Sequence, residues 1–328
     1  MEQRKSNISI YGWRAFKLLL AILAFWFVYR KITKQNEAEG YLLQLKEAFN
    51  KTEKLFFLLT VLVLMVFNWL TEAWKWKLMI DRLERISLFR SFEAVCSGLT
   101  ISIFTPNRIG EYAGRVFHLA KANKIQATLV TVIENTSQLL ATMLIGAIAS
   151  VYYFTFYGEL PFFISLGICL TLGIVSSIAL LAFFNIRFLE NILKRLKFSS
   201  KWQSMFHVLT EYKTSELLHV FSLALLRYAI FVVQFYLLIK MYGGDSAFFP
   251  SMIMIAMTYL VITIIPSYTL VELGIRGAAA AYFFSKITID ILPILNAVFS
   301  LWIINLAIPA FAGAIFMLNF RLEKNKEE

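Results

Sequence analysis

Six stretches of this chain are apolar over about twenty residues each, and this limits what the chain can fold into. About twenty apolar helical residues span the roughly 30 Å hydrocarbon core of a bilayer. The predicted spans are about 11–30, 55–76, 126–155, 161–184, 217–241 and 290–319. Only 16% of the 328 residues are charged, against about a quarter in a soluble domain. The sequence therefore predicts an all-α polytopic membrane protein, with residues 1–328 forming a single integral membrane domain.

Two further apolar segments, 91–120 and 246–286, differ from these spans. Each is interrupted by a proline, Pro106 or Pro266, which is followed by polar and charged residues. Irregular backbone survives at membrane depth only where it is buried in protein or lines a wet cavity. The two segments are therefore predicted to be broken or re-entrant helical hairpins.

The sequences that follow the two prolines resemble each other. The first copy contains Pro106, Glu111, Gly114 and Arg115, and the second contains Pro266, Glu272, Gly274 and Arg276. Three predicted spans separate the copies, and an odd number inverts one copy relative to the other. This pattern predicts an inverted repeat with halves at roughly 55–155 and 217–319, a plan common among transporters. Chance remains the alternative, because Glu-x-x-x-Arg is a common helical ion-pair spacing.

Charged residues lie in or beside the predicted membrane segments, where each costs about 2.5–3.5 kcal/mol if unpaired. They are Glu93, Arg108, Glu111, Arg115, Glu134, Arg227, Glu272 and Arg276. Together they would cost roughly 20 kcal/mol, more than a typical folding stability. Four acids and four arginines can, however, pair to neutrality. Ion pairs that only hold bent helices in place are therefore one interpretation.

The other interpretation is a binding site for a phosphate-bearing headgroup. The basic groups of the spans are predicted to be arginines without lysine, and a guanidinium binds phosphate in bidentate fashion. Arg108, Arg115 and Arg276 follow the proline breaks, where helix N-termini would add N–H donors. Arg227 and Glu134 would lie in the walls. The predicted headgroup site is Arg108, Glu111, Arg115, Glu134, Arg227, Glu272 and Arg276.

Other residue types point to packing rather than chemistry. Trp74 and Trp76 are predicted to be interface anchors, and Asn68 and Asn305 to form interhelical hydrogen bonds. The histidines and cysteines lack metal-ligand spacing, so no metal or other cofactor is expected. A nucleic-acid partner is not expected either, because the net charge of +11 is spread over the gaps between apolar runs.

The basic residues also predict an orientation. With the N-terminus in the cytoplasm, twenty Lys and Arg residues fall on the inner side and eight on the outer side. This bias places both termini in the cytoplasm. Region 185–216 mixes apolar and basic residues, as in a helix lying on the inner leaflet. An ordinary connecting helix is the alternative.

At these motifs the sequence resembles the flippase-like membrane domain of the lysylphosphatidylglycerol synthase family, over nearly the whole chain. TPNRIGEYAGR resembles the family's first motif, and IPSYTLVELGIRG is similar to its second. The matching positions are Pro106, Arg108, Gly110, Glu111, Arg115, Pro266, Gly274 and Arg276. In many relatives an acid directly follows the late arginine, whereas here that position is Gly277. The resemblance implies a bacterial-type inner (plasma) membrane protein that moves, or helps to move, lipids between leaflets.

Three functions remain open from the sequence. The first is transport of a phosphate-bearing lipid, which could be a phospholipid, an aminoacylated phospholipid or a polyprenyl-phosphate carrier. The second is an intramembrane transferase on a lipid-linked substrate. The third is a non-transporting scaffold for a lipid-modifying partner protein. An enzyme is not expected, because the sequence ends at Glu328 without the soluble aminoacyl-transferase domain of the full synthases.

Overall fold

The computed structural model describes residues 51–105, 108–185, 208–265 and 269–327, and within them the regular secondary structure is helical. Three predicted features lie outside these residues. They are the span 11–30, the prolines Pro106 and Pro266, and most of the predicted interfacial region 185–216.

Within the part of the chain that the structure describes, five helical segments are long and apolar enough to cross a membrane. They are α1 (Thr52–Ile80), α4 (Lys124–Phe156), α5 (Phe162–Phe184), α6 (Thr214–Met241) and the composite segment Leu292–Leu318. The composite segment contains α9 (Leu292–Trp302), a π-helical segment (Ile303–Ala307) and the start of α10 (Ile308–Glu327). Five of the six predicted spans are thereby confirmed, with boundaries shifted by a few residues.

Both interrupted segments form pairs of shorter helices that pack on each other. The first pair is α2 (Leu88–Ser102) and α3 (Gly110–Val116), and the second is α7 (Phe248–Ile264) and α8 (Thr269–Phe284). At about 1.5 Å per residue, none of the four reaches across a 30 Å hydrocarbon core. The predicted broken helical hairpins are therefore present, and the first begins three residues earlier than the sequence suggested.

Glycines bring the two helices of the first hairpin into backbone contact. A Cβ atom on Gly114 would lie 2.5 Å from the Cα atom of Gly98, and one on Gly98 would lie 2.7 Å from the carbonyl oxygen of Glu111. Gly274 differs from Gly114, its counterpart in the predicted repeat. It is exposed on α8, and a Cβ atom there would have no described heavy atom within 4 Å.

The order span, hairpin, span occurs twice, and the two halves pack reciprocally. Helix α1 packs against α6, which is its counterpart in the second half. The first hairpin packs through α2 against α10, and the second packs through α7 against α4. Each hairpin therefore contacts the last span of the other half, as a twofold repeat would require. The half-repeat bounds 55–155 and 217–319 stay a prediction.

Helix α5, between the two halves, presents apolar side chains on all sides. Ser165, Ser176 and Phe183 are its buried residues, and large side chains such as Phe163 and Ile178 are exposed. Continuous apolar exposure of this extent fits a lipid environment rather than water.

One predicted interface anchor is instead a core residue. Trp74 is 47% exposed and fits the prediction, but Trp76 is completely buried. Its indole Nε1–H donates to the Thr131 hydroxyl at 2.9 Å, because this face of α1 packs against α4.

Candidate functional site

Arg115 lies at the centre of a buried group of charges. Its side chain is fully buried in the last turn of α3. One guanidinium nitrogen is 2.5 Å from Glu72 on α1 and also contacts Glu111, and the other is 3.0 Å from Glu134 on α4. One arginine thereby connects three helices through three carboxylates.

Two more cations complete this group. Lys75 Nζ lies 2.9 Å from Glu72 and 2.8 Å from Glu134. Arg227 Nη1, on α6, lies 2.9 Å from Glu72, and its Nε–H donates to Asn68 Oδ1 at 2.7 Å. We call Glu72, Lys75, Glu111, Arg115, Glu134 and Arg227 the deep cluster. Its three carboxylates balance its three cations.

Glu72 and Lys75 are site residues that the sequence did not predict, and the expectation of no lysine within the spans is wrong. Lys75 lies at the very end of the predicted span 55–76, so the sequence assigned it to the loop that follows. Helix α1 continues to Ile80 and buries both side chains almost completely. The available signal was the helical spacing of Asn68, Glu72 and Lys75, which places one polar face on an apolar helix.

A second group of charges lies where the two hairpins meet. Arg108, just before α3, places Nη2 3.0 Å and 3.1 Å from the two carboxylate oxygens of Glu272 on α8. Arg276 Nη2, one turn further on α8, donates to the same carboxylate at 2.6 Å. We call Arg108, Glu272 and Arg276 the tip cluster. It contains two cations and one carboxylate.

The backbone at the tip cluster is also unusual. Arg108 has φ = +57°, in the left-handed region that non-glycine residues rarely adopt. Such a conformation costs about 1–3 kcal/mol and is found disproportionately at functional sites. Gly110 follows, with its N–H donating to Thr105 Oγ1 at 2.8 Å. A Cβ atom on Gly110 would lie 2.7 Å from the Ile101 side chain, so this turn requires glycine.

The Glu-x-x-x-Arg spacing of the predicted repeat forms the same contact in both copies. Glu111 pairs with Arg115 on α3, and Glu272 pairs with Arg276 on α8. The environments differ, because Arg115 also binds two carboxylates from other helices whereas Arg276 shares its one carboxylate with Arg108. Together the two clusters hold four carboxylates and five cations, a net charge of +1 when all are ionised.

Residues of both the tip cluster and the deep cluster line a cavity of about 580 Å³. Its volume is within the range of ligand sites. Every described helix except α5 and α10 contributes to its wall, as does the π-helical segment. Charged wall residues are Glu72, Arg108, Glu111, Arg227, Glu272 and Arg276, and polar or aromatic ones include Trp69, Asn135, Gln138, Tyr228, Phe231, Tyr259 and Asn305.

Five of the seven predicted headgroup residues line this cavity, and two do not. Arg115 and Glu134 are fully buried behind its wall and contact the other members of the deep cluster. Arg115 also lies in the last turn of α3 rather than at a helix start. Helix α3 has only seven residues, and the expected contribution of its N-terminal N–H groups stays a prediction.

The comparisons with known proteins identify the family. A family model described as the lysylphosphatidylglycerol synthase TM region matches residues 14–313, which is most of the chain. No curated protein and no solved structure matched the sequence. The match covers both hairpins, both clusters and the cavity, and it agrees with the resemblance at the two proline motifs. The protein is thus a multi-pass membrane protein that belongs to the family of the lysylphosphatidylglycerol synthase transmembrane region.

Proposed function

We propose that this protein transports a phosphate-bearing lipid between the leaflets of a membrane, and that the lipid phosphate binds at the tip cluster. The observation that carries the proposal is that Arg108 and Arg276 share the single carboxylate of Glu272. Two guanidinium groups with one counter-charge suit an anion with several oxygens. The family membership supports a lipid-related role.

The Glu272 carboxylate holds the two arginines in place when no anion is bound. A phosphate that enters between them replaces carboxylate oxygens with phosphate oxygens and neutralises the excess positive charge. Arg108, whose side chain is 37% exposed, is the most accessible member and forms the first contact. The deep cluster is neutral, and its members Lys75, Arg115 and Glu134 are buried behind the cavity wall, so we assign the cluster a structural role beside the cavity.

We also propose a membrane orientation for the protein. Counting the buried Lys75 as part of the membrane region leaves nineteen Lys and Arg residues on the predicted inner side and eight on the outer side. That bias supports cytoplasmic termini, in a bacterial-type inner membrane. We propose no enzymatic activity, and we propose membrane lipids as the partners.

A transbilayer assay in liposomes tests the proposal. Headgroup-labelled phospholipid would be reconstituted with the protein, and an impermeant quencher would report how fast label reaches the outer leaflet. Wild-type protein is expected to move lipid faster than empty vesicles. Arg108→Ala and Arg276→Ala are each expected to slow movement by about tenfold or more, because a charge-assisted hydrogen bond contributes about 1.5–3 kcal/mol.

Arg82→Ala is the matched control for these variants. Arg82 Nη2 likewise lies 2.6 Å and 2.8 Å from the two carboxylate oxygens of Glu216. This pair, however, lies outside the cavity. Transport by Arg82→Ala should equal that of wild type. Folded wild-type protein that moves no lipid, or full transport by both tip-cluster variants, would refute the proposal. A labelled product from an activated donor would instead support the transferase alternative.

A further inference from the structure

The last membrane span changes helix type beside the cavity. Between α9 and α10, residues Ile303–Ala307 are π-helical, and the N–H of Ile308 bonds to the carbonyl of Ile303, five residues back. Pro309 follows directly. It has no N–H, and in a regular α-helix its ring would clash with the carbonyl four residues back. Because sharp kinks in helices occur at prolines and π-bulges, this segment is where the last span can bend.

On one side of the π-helical segment, α10 is held to the first hairpin. The Thr100 hydroxyl on α2 donates to the carbonyl oxygen of Ala310 at 2.6 Å. A Cβ atom on Gly313 would overlap the carbonyl group of Cys96 on α2, so the two backbones are in contact. Helix α2 is likewise in backbone contact with α3. We call α2, α3 and α10 the first unit, and Arg108 lies in it, just before α3.

On the other side of the π-helical segment, α9 belongs to the second half of the chain. It packs against α6 and α8, and the Ser300 hydroxyl on α9 lies 2.7 Å from the hydroxyl of Tyr242, just after α6. We call α6, α8 and α9 the second unit, which carries Glu272 and Arg276. The π-helical segment therefore joins the same two units that meet at the tip cluster.

We propose that the π-helical segment is a hinge about which the two units move, and that this movement opens and closes the contact between Arg108 and Glu272. Asn305 and Leu306 of the segment line the cavity, so bending also changes the shape of the cavity. The deep cluster holds the Arg115 end of α3 to α1 and α4, so the Arg108 end moves most. The hinge follows from the geometry, whereas its role in transport rests on the proposed function.

Distances between spin labels test the hinge. Pulsed electron paramagnetic resonance in liposomes would measure one label pair between the units, Phe89→Cys on α2 with Leu218→Cys on α6, in a Cys169→Ser background. Both positions are more than half exposed, and the remaining Cys96 is completely buried. Leu218→Cys with Leu292→Cys on α9 is the matched control pair, because both labels then lie in the second unit. Wild-type protein is expected to show two distance populations for the first pair and one for the control pair.

A straightened variant tests whether the π-helical segment causes the two populations. A π-helical turn holds one residue more than an α-helical turn, because its hydrogen bonds run to the fifth residue back rather than the fourth. Deletion of Ala307 together with Pro309→Ala is therefore expected to make the span one continuous α-helix. The melting temperature should stay the same or rise, and one distance population should be lost. Transport should slow by about tenfold or more, because the other conformation becomes a minor state.

Pro309→Ala alone is the second variant, because it restores an N–H donor without changing the length of the span. It should shift the two populations in the same direction. One distance population in wild type, or two that persist in both variants, would overturn the hinge. A straightened variant with one population and full transport would overturn only the role of the hinge in transport. Two populations in a wild-type protein that moves no lipid would sustain the hinge and refute the proposed function.

Discussion

At the scale of single residues, Arg108 and Arg115 show how environment separates two chemically identical side chains. Arg115 is fully buried and contacts three carboxylates. Arg108 is 37% exposed and shares one carboxylate with Arg276. Arg115 therefore has little capacity for a further anion, whereas Arg108 is the accessible member of the tip cluster, which has one more cation than carboxylates.

Replacing Arg115 should damage the fold rather than a binding step. Arg115→Ala leaves Glu72, Glu111 and Glu134 with too few cations in an enclosed site. Breaking a buried ion pair in this way costs about 3–5 kcal/mol. Reversible unfolding in detergent micelles measures the loss. Arg82→Ala, which removes an exposed pair, should cost less than about 1 kcal/mol, so equal losses for the two variants would contradict the structural role of Arg115.

At the scale of elements, backbone contact between α2 and α3 determines the shape of the first hairpin. Gly114→Ala would place a methyl group 2.5 Å from the Cα atom of Gly98. Because backbone cannot move aside as a flexible side chain can, we expect a destabilisation of about 1–3 kcal/mol. The melting temperature in detergent is the measurement.

Gly274→Ala is the corresponding change in the second copy of the predicted repeat, and its expected effect is opposite in sign. A Cβ atom on Gly274 meets no described atom within 4 Å. Alanine in a helix is favoured over glycine by about 0.5–1 kcal/mol. The melting temperature should therefore stay the same or rise. A fall as large as that of Gly114→Ala would show that the contact at Gly114 is not the cause.

Glu84 joins the loop after α1 to the segment before α4. Its carboxylate accepts hydrogen bonds from the backbone N–H groups of Ala120, Lys121 and Ala122 at 3.1, 2.7 and 2.9 Å. Partial burial alone would raise the pKa of Glu84, but the three donors outweigh it and hold the pKa below its usual value of 4.5. The ionised form is therefore favoured in the folded protein.

The stabilisation from Glu84 should depend on pH. Because its folded pKa is lowered, the contribution is fully present above the unfolded pKa and is lost as pH falls through the folded pKa. Glu84→Gln is expected to lower the free energy of unfolding by about 1 kcal/mol at pH 7. The difference from wild type should shrink below about pH 4.5. A difference that is constant from pH 7 to pH 4 would show that ionisation of Glu84 is not involved.

Helix lengths and the interrupted hairpins could be predicted because both depend on local patterns. Apolar runs of bilayer length identify spans, and a proline followed by charged residues identifies a break. The burial of Trp76 and Lys75 could not be read in this way, because it depends on which helices pack against that face of α1. The pattern WKW at the end of an apolar run is equally compatible with an interface and with a polar core.

The candidate site was predictable in composition but not in arrangement. Pairing of intramembrane charges follows from their cost in lipid. Which charges pair depends on contacts between residues far apart in sequence, such as Arg108 with Glu272 and Arg115 with Glu72. Two arginines with the same expected role consequently belong to different clusters.

At the scale of the whole molecule, reciprocal packing brings the two hairpins together. Each hairpin packs against the last span of the other half, so Arg108 from the first hairpin meets Glu272 and Arg276 from the second. Relative movement of the two halves would change this contact directly. Transporters of repeat architecture bind their substrates between the repeats, so this position of the tip cluster agrees with the predicted repeat and with the proposed function.

The affinity of Glu272→Gln for phosphatidylglycerol, relative to wild type, tests this account most directly. If Glu272 occupies the place that a lipid phosphate takes, removing its charge frees Arg108 and Arg276, and the variant should bind phosphatidylglycerol about tenfold more tightly. If the tip cluster is only a structural ion pair, removing the charge of Glu272 should not increase the affinity for phosphatidylglycerol. Weaker or unchanged binding by a folded Glu272→Gln variant would contradict the assignment of the tip cluster as a phosphate site.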